Sequence, residues 1–218
     1  DKNVAIGYQS LLANTDGSSN VAVGSYAGDA NLTGDSNIWV GRSAGGGTTA
    51  AGSTICIGRD AGAGVMTSAA DGTIAIGRTA LSALTSGAGN VAIGHAAASA
   101  ITDSPGNVAI GFEALKLATS ADGHNVAIGH GVLNGGTGGY YNICIGKGTG
   151  GAFVNANVGT CILIGYEAGD AINHTDANST IAIGRSALGA VTEGMRNIAI
   201  GYEAGASLVD SDDCTIIG

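Results

Sequence analysis

An apolar triplet followed by glycine recurs thirteen times along the chain, with the glycines at positions 7, 24, 41, 58, 77, 94, 111, 129, 146, 165, 184, 201 and 218. The intervals are 17 residues eight times, 18 once and 19 three times. A short period kept from end to end is the signature of a stacked repeat architecture. The residue before each glycine is Ile or Val in every copy, from Ile6 to Ile217, and the residue three before it is Val or Ile in all but Thr215. β-Branched residues at period two predict a three-residue strand such as Val4-Ala5-Ile6. One strand per repeat can pair only with its copies in neighbouring repeats. The expected fold is therefore mainly β: a parallel β-solenoid of about 12 coils of 17–19 residues, one repeat domain over 1–218.

The position between the two β-branched columns is Ala in eight copies but Trp39, Cys56, Cys144, Leu163 or Ile216 in the others. A range from Ala to Trp is hard to pack in a narrow interior, which places the Ile/Val columns inside and this one outside. A strand apolar on both faces is normally covered on both. Ala5, Ala22, Trp39, Cys56, Cys144 and Leu163 are accordingly the expected oligomer face. Four before the glycine stands Asn in eight copies, Thr in three and Cys in two. At the strand spacing of roughly 4.8 Å, these amides are expected to bond up the axis as a ladder. After the glycine, Ala holds the third position in nine of twelve copies, with Leu or Gly common at the fourth and an aliphatic residue frequent at the seventh. A spacing near three suits a short helical turn, a second strand being the alternative.

Composition narrows the class. With 40 Gly, one Trp, two Phe and one Pro, the side chains that fill a globular core are scarce, yet 44% hydrophobic and 11% charged residues are wrong for disorder. A net charge of −9 repels nucleic acid and anionic lipid alike. No apolar run approaches the ~20 residues of a membrane-spanning helix. Expected partners therefore include neither nucleic acid nor an inserted membrane. The even count of four cysteines would suggest disulfides, but the repeat separates Cys56 from Cys144 by five coils and Cys161 from Cys214 by three. Four reduced thiols are expected.

The recurring Asn-Val-Ala-Ile-Gly (3–7, 90–94, 107–111, 125–129), followed by Tyr/Arg-x-Ala, resembles the head repeats of YadA-type trimeric autotransporter adhesins. It is also similar to Gly-Tyr-x-Ala-type repeats of phage tail fibres, as in Gly165-Tyr166-Glu167-Ala168 and Gly201-Tyr202-Glu203-Ala204. The resemblance implies a left-handed β-roll, a homotrimer about a common axis with the Asn-Val/Ile-Ala-Ile/Val-Gly strands in the subunit contact, and attachment to a host-surface glycan or protein. It implies an extracellular location on a cell surface or virion. The longer repeat departs from the adhesin pattern, and with neither end capped the chain is expected to be a piece of a longer fibre.

The residue after each glycine is basic or aromatic in eleven of twelve copies: Tyr8, Arg42, Arg59, Arg78, His95, Phe112, His130, Lys147, Tyr166, Arg185 and Tyr202, with Ser25 the exception. Stacked, they form a stripe that suits receptor contact. The competing reading pairs them with Asp60, Glu113, Glu167 and Glu203 across a subunit seam. Glu167 and Glu203, two coils apart in one variable column, are the nearest thing to a glycosidase pair. A polysaccharide-cleaving tailspike and a self-assembling filament without a receptor remain the alternatives to an attachment shaft. No catalytic residue, cofactor or metal is expected. The acidic cluster Asp210, Asp212 and Asp213 lacks the spacing of a calcium roll, and no exposed threonine column of the kind ice binding needs is apparent.

Overall fold

A computed structural model describes residues 2–118, 123–135, 139–152, 158–174 and 177–218. Its strands are β1 (Val4–Ile6), β2 (Val21–Val23), β3 (Ile38–Val40), β4 (Ile55–Ile57), β5 (Ile74–Ile76), β6 (Val91–Ile93), β7 (Val108–Ile110), β8 (Val126–Ile128), β9 (Ile143–Ile145), β10 (Ile162–Ile164), β11 (Ile181–Ile183), β12 (Ile198–Ile200) and β13 (Thr215–Ile217). The chain is a mainly-β parallel solenoid, as the repeat predicts. It comprises two compact units, Asp1–Asn107 with β1–β6 and Val108–Gly218 with β7–β13. In the first unit every strand pairs in parallel with the next, from Val4 opposite Val21 to Ile74 opposite Val91. In the second the same register runs from Val108 opposite Val126 to Ile198 opposite Thr215.

The inside and outside of the coil are reversed from the expectation. Ala22, Trp39, Cys56, Ala75, Cys144, Leu163 and Ala182 are fully buried within their own chain, whereas Ile38, Ile57 and Ile143 are 40%, 37% and 39% exposed. A narrow interior tolerates a column running from Ala to Trp because a second inward column, four after the glycine, compensates for it. Ala75, Ala109, Ala127 and Ala182 are followed by Leu81, Leu115, Leu133 and Leu188, whereas Trp39, Cys56, Cys144 and Leu163 are followed by Gly45, Gly62, Gly150 and Gly169. A Cβ added to Gly28 or Gly45 would collide with the Trp39 indole, and one added to Gly62 would sit 2.5 Å from the Cys56 Sγ. In these coils the two columns trade volume, as close packing requires, whereas Ala22 with Gly28 and Ala199 with Gly205 are small in both columns where Trp39 and Ile216 of the next coil reach in.

The second limb is neither a helical turn nor a strand. It is two successive four-residue turns, with Ala27 N–H donating to the Gly24 carbonyl at 3.3 Å and Asn31 N–H to Gly28 at 3.1 Å. The positions two and four after the glycine hold positive φ, including Tyr26 at 58°, Glu167 at 52° and Leu188 at 50°. That alternation turns successive peptide groups up and down the axis, so Leu11 N–H donates onward to the Ala27 carbonyl (3.0 Å) while the Tyr8 carbonyl accepts from Tyr26 N–H (2.8 Å). The apparent period of three thus reflects inward residues of stacked turns. The 3₁₀ turn Ser68–Ala70 lies within a 19-residue repeat.

Candidate interaction face

The Asn column is interior and bonds as expected. Asn20 Oδ1 accepts from both the backbone N–H and the side-chain amide of Asn37, each at 3.0 Å, while Asn20 Nδ2 donates to the Gly34 carbonyl at 2.8 Å. The same pattern links Asn90 to Asn107 and Asn125 to Asn142. Thr54 replaces Asn where the indole N–H of Trp39 needs an acceptor, donating to Asn37 Oδ1 at 2.6 Å and accepting from Trp39 Nε1 at 3.1 Å. With the amides turned inward, the residues on either side of the buried column point out. Each strand therefore presents two β-branched side chains to solvent, and in each unit they align into paired Val/Ile ladders.

The expected oligomer face of Ala5, Ala22, Trp39, Cys56, Cys144 and Leu163 is corrected accordingly. All but the end-coil Ala5 are interior, so the apolar surface left without a cover belongs to Val21, Ile38, Ile57, Ile143, Ile200 and their equivalents. Sequence reasoning assigned these ladders to the core because they are the most regular apolar columns. The compensating glycines four positions on were the signal that could have corrected it.

The stripe after each glycine lies beside this face and differs between the units. In the first, Arg42 and Arg59 share Asp60 at 3.6 and 3.5 Å, and Arg78 contacts His95. Tyr8 meets the edge of Tyr26 at 5.4 Å. In the second, Phe112 stacks on His130 at 5.0 Å, Lys147 lies over Tyr166 at 5.7 Å, and Arg185 stands between Tyr166 and Tyr202 at 5.6 and 5.7 Å. The proposed carboxylate partners are thus only partly used: Asp60 is, but Glu113 pairs instead with Lys116. Glu167 and Glu203 take hydrogen bonds that raise the phenol pKa of Tyr166 and Tyr202.

On the far side of the face runs the column five before each glycine: Lys2, Ser19, Ser36, Ser53, Gly72, Gly89 and Gly106 in the first unit and His124, Tyr141, Thr160, Ser179, Arg196 and Asp213 in the second, at positive φ from Ser19 onward. His124 stacks on Tyr141 at 5.3 Å, and Arg196 chelates Asp213 at 2.6 and 2.8 Å, which holds that carboxyl below its usual range. Asp212 accepts from Met195 N–H, just as Asp35 and Asp71 accept from Ser18 and Gly52 N–H one coil earlier. Two members of the acidic cluster are therefore inter-coil ties rather than metal ligands, and among the described residues no group of three candidate ligands converges.

A threonine column eight after the glycine, which includes Thr15, Thr49, Thr85 and Thr192, is also present. Thr49, Thr67 and Thr85 follow one another in successive coils, each hydroxyl donating to a carbonyl one coil on, at 3.3, 3.3 and 2.9 Å. The 19-residue repeat shifts Thr67 by one place relative to its glycine. Its hydroxyl protons are spent within the chain, which marks the column as structural. Among the described residues no helix is long and apolar enough to cross a membrane. No family model, curated protein or solved structure matches this chain.

Proposed function

We propose that this chain is the structural and receptor-binding shaft or head of an extracellular trimeric fibre that mediates attachment to a host surface. The observation that carries the reading is the paired Val/Ile ladder on the outside of the coil. Contiguous apolar surface of this extent marks an interface, and a flat parallel sheet face is ordinarily covered. The length-independent repeat suits a rigid spacer, and the cation–aromatic stripe beside the ladder supplies contacts for a host glycan or protein. The resemblance to YadA-type heads and tail-fibre repeats, together with a ladder that faces out, favours three chains around a common axis.

Sedimentation of the purified chain at micromolar concentration tests the assembly, with a discrete trimer the expected species. A monomer with the ladder open to water would overturn the reading, and an endless polymer would favour the filament alternative. Attachment is checked by binding of the labelled protein to host cells and its loss when Lys147, Tyr166 and Arg185 are replaced together by Ala. Shortening of capsule polysaccharide on incubation would instead point to the tailspike.

A further inference from the structure

We infer that the row Arg42, Arg59, Arg78 and His95 on the first unit is a binding site for a linear acidic polysaccharide that carries an anionic group on successive sugar rings. The inference deepens the attachment reading by naming a ligand class for this part of the stripe, and it needs only the single chain.

In the second unit the cations of this column alternate with aromatic rings, whereas in the first three arginines follow one another in consecutive coils. Main-chain bonds keep them in step: Asp60 N–H donates to the Arg42 carbonyl at 2.9 Å, Thr79 N–H to that of Arg59 at 3.0 Å and Ala96 N–H to that of Arg78 at 2.9 Å. The three side chains therefore leave the backbone at points roughly 4.8 Å apart. Like charges that close repel one another, although the chain as a whole has carboxylates in excess, with a net charge of −9. Among the described residues Asp60 alone lies within ion-pair distance of the three, 3.6 Å from Arg42 and 3.5 Å from Arg59. Both distances exceed the ~2.7–2.9 Å of a charge-assisted hydrogen bond. The Arg42 and Arg59 side chains are 57% and 48% exposed, so their forked N–H donors stand open to a carboxylate or a sulfate.

A second copy packed on the Val/Ile ladder does not supply the missing anions. The flank across the ladder in these coils is Ser36, Ser53, Gly72 and Gly89. Asp35 and Asp71, next to that flank in sequence, are taken by the N–H groups of Ser18 and Gly52. The spacing of the arginines then selects the ligand. Identical groups at a fixed interval match a polymer that repeats at a similar interval, and an extended chain of pyranose rings advances by close to the strand spacing with each ring. An acidic peptide alternates its side chains and would offer a carboxylate to the row only every 6.8 Å or so, about two residues on. The strands of duplex nucleic acid wind away from a straight row, and the net charge of the chain opposes their dense phosphates. Because the sheet holds the row in place before the ligand arrives, binding loses little freedom in ordering it.

The test is binding of the full chain to immobilised polygalacturonate, which has a carboxylate on every ring, with neutral dextran as the blank. The chain is expected to bind polygalacturonate and not dextran, with an affinity that falls several-fold as salt is raised. Replacing Arg42, Arg59 and Arg78 together by Gln is expected to weaken binding by roughly tenfold or more. Lys2→Gln, Lys116→Gln and Arg196→Gln together remove the same charge elsewhere and should leave binding nearly unchanged. Should circular dichroism show that the arginine variant misfolds, modification of the native chain by phenylglyoxal serves instead, bound polygalacturonate protecting Arg42, Arg59 and Arg78 several-fold more than Arg185 and Arg196. No binding by the native chain, an arginine variant that binds as well as its parent, or equal protection of all the arginines would overturn the inference. So would equal or tighter binding of polyglutamate or single-stranded oligothymidylate at the same salt, which would make the row an acidic-protein or nucleic-acid surface. Host-cell attachment without polygalacturonate binding would sink this inference and leave the attachment reading standing. Polygalacturonate binding without host-cell attachment would do the reverse.

Discussion

At the scale of single residues, glycine does two different jobs. The glycine that ends each strand has φ of 125–140°, and a Cβ on Gly7 or Gly24 would lie 2.5 Å from the carbonyl oxygen of the corresponding glycine one coil on. Backbone cannot yield there as a flexible side chain would, so Gly24→Ala is expected to cost several kcal/mol, above the ~1–3 kcal/mol of a strained φ alone. A large drop in the urea midpoint, or no folded protein, would be the readout. Gly28 and Gly45 are instead there for volume, making room for Trp39. Trp39→Ala should cost about 3–5 kcal/mol through the cavity it leaves. Adding Gly45→Leu, which copies the Ala/Leu pairing of Ala182 and Leu188 at a φ that Leu188 tolerates, should recover a substantial part of that loss. If the double variant is no more stable than Trp39→Ala, the two columns do not share a slot.

At the scale of the element, the strands were fully legible, because β-branched residues at period two have few other solutions. Which side of the strand faces in was not. The most regular apolar columns are not the core, since Ile38 and Val40 flank a buried Trp39, and the sequence signal lies in the neighbouring column rather than in the strand itself. The turns were misread for a related reason: Ala80, Leu81 and Leu84 have helical spacing, but alternating positive φ at Thr79 and Leu81 makes them successive turns. The Asn ladder is legible in purpose, but its place inside the coil follows only once the facing of the strand is known. Its Oδ1 accepts the buried backbone N–H of the next coil, so Asn125→Leu should strand the Asn142 N–H and the Gly139 carbonyl, costing on the order of 2–4 kcal/mol in all. Hydrogen exchange should then quicken first at Asn142. Protection there unchanged from the parent would mean that the amide is not the acceptor that matters.

At the scale of the whole molecule, burial recurs coil by coil within each unit, so chemistry that depends on burial repeats along the chain. The cysteines report on this. All four are free, and Cys56, Cys144 and Cys161 lie inside the coil while Cys214 is only half-buried. Burial pushes the thiol pKa of Cys56 up to about 12 and that of Cys161 up to about 11, and raises Cys144 well above the ordinary value of 9.0, with Cys161 beside it adding to the effect. The thiolate is the reactive form, so at pH 8 a thiol reagent should leave Cys56, Cys144 and Cys161 unreacted in the native protein and find four groups after denaturation. The same shifts link stability to pH. Below about 9 these thiols are protonated whether the chain is folded or not, and they contribute no pH dependence. Above 9 the unfolded chain loses their protons while the folded chain keeps them, so the unfolded state binds fewer protons and stability falls as pH rises. The fall should extend from pH 9 towards 11–12, and replacing Cys56, Cys144 and Cys161 together by Ala should flatten it. An unchanged slope in that triple variant, measured by urea unfolding at pH 8, 9.5 and 10.5, would show that the alkaline loss comes from other groups.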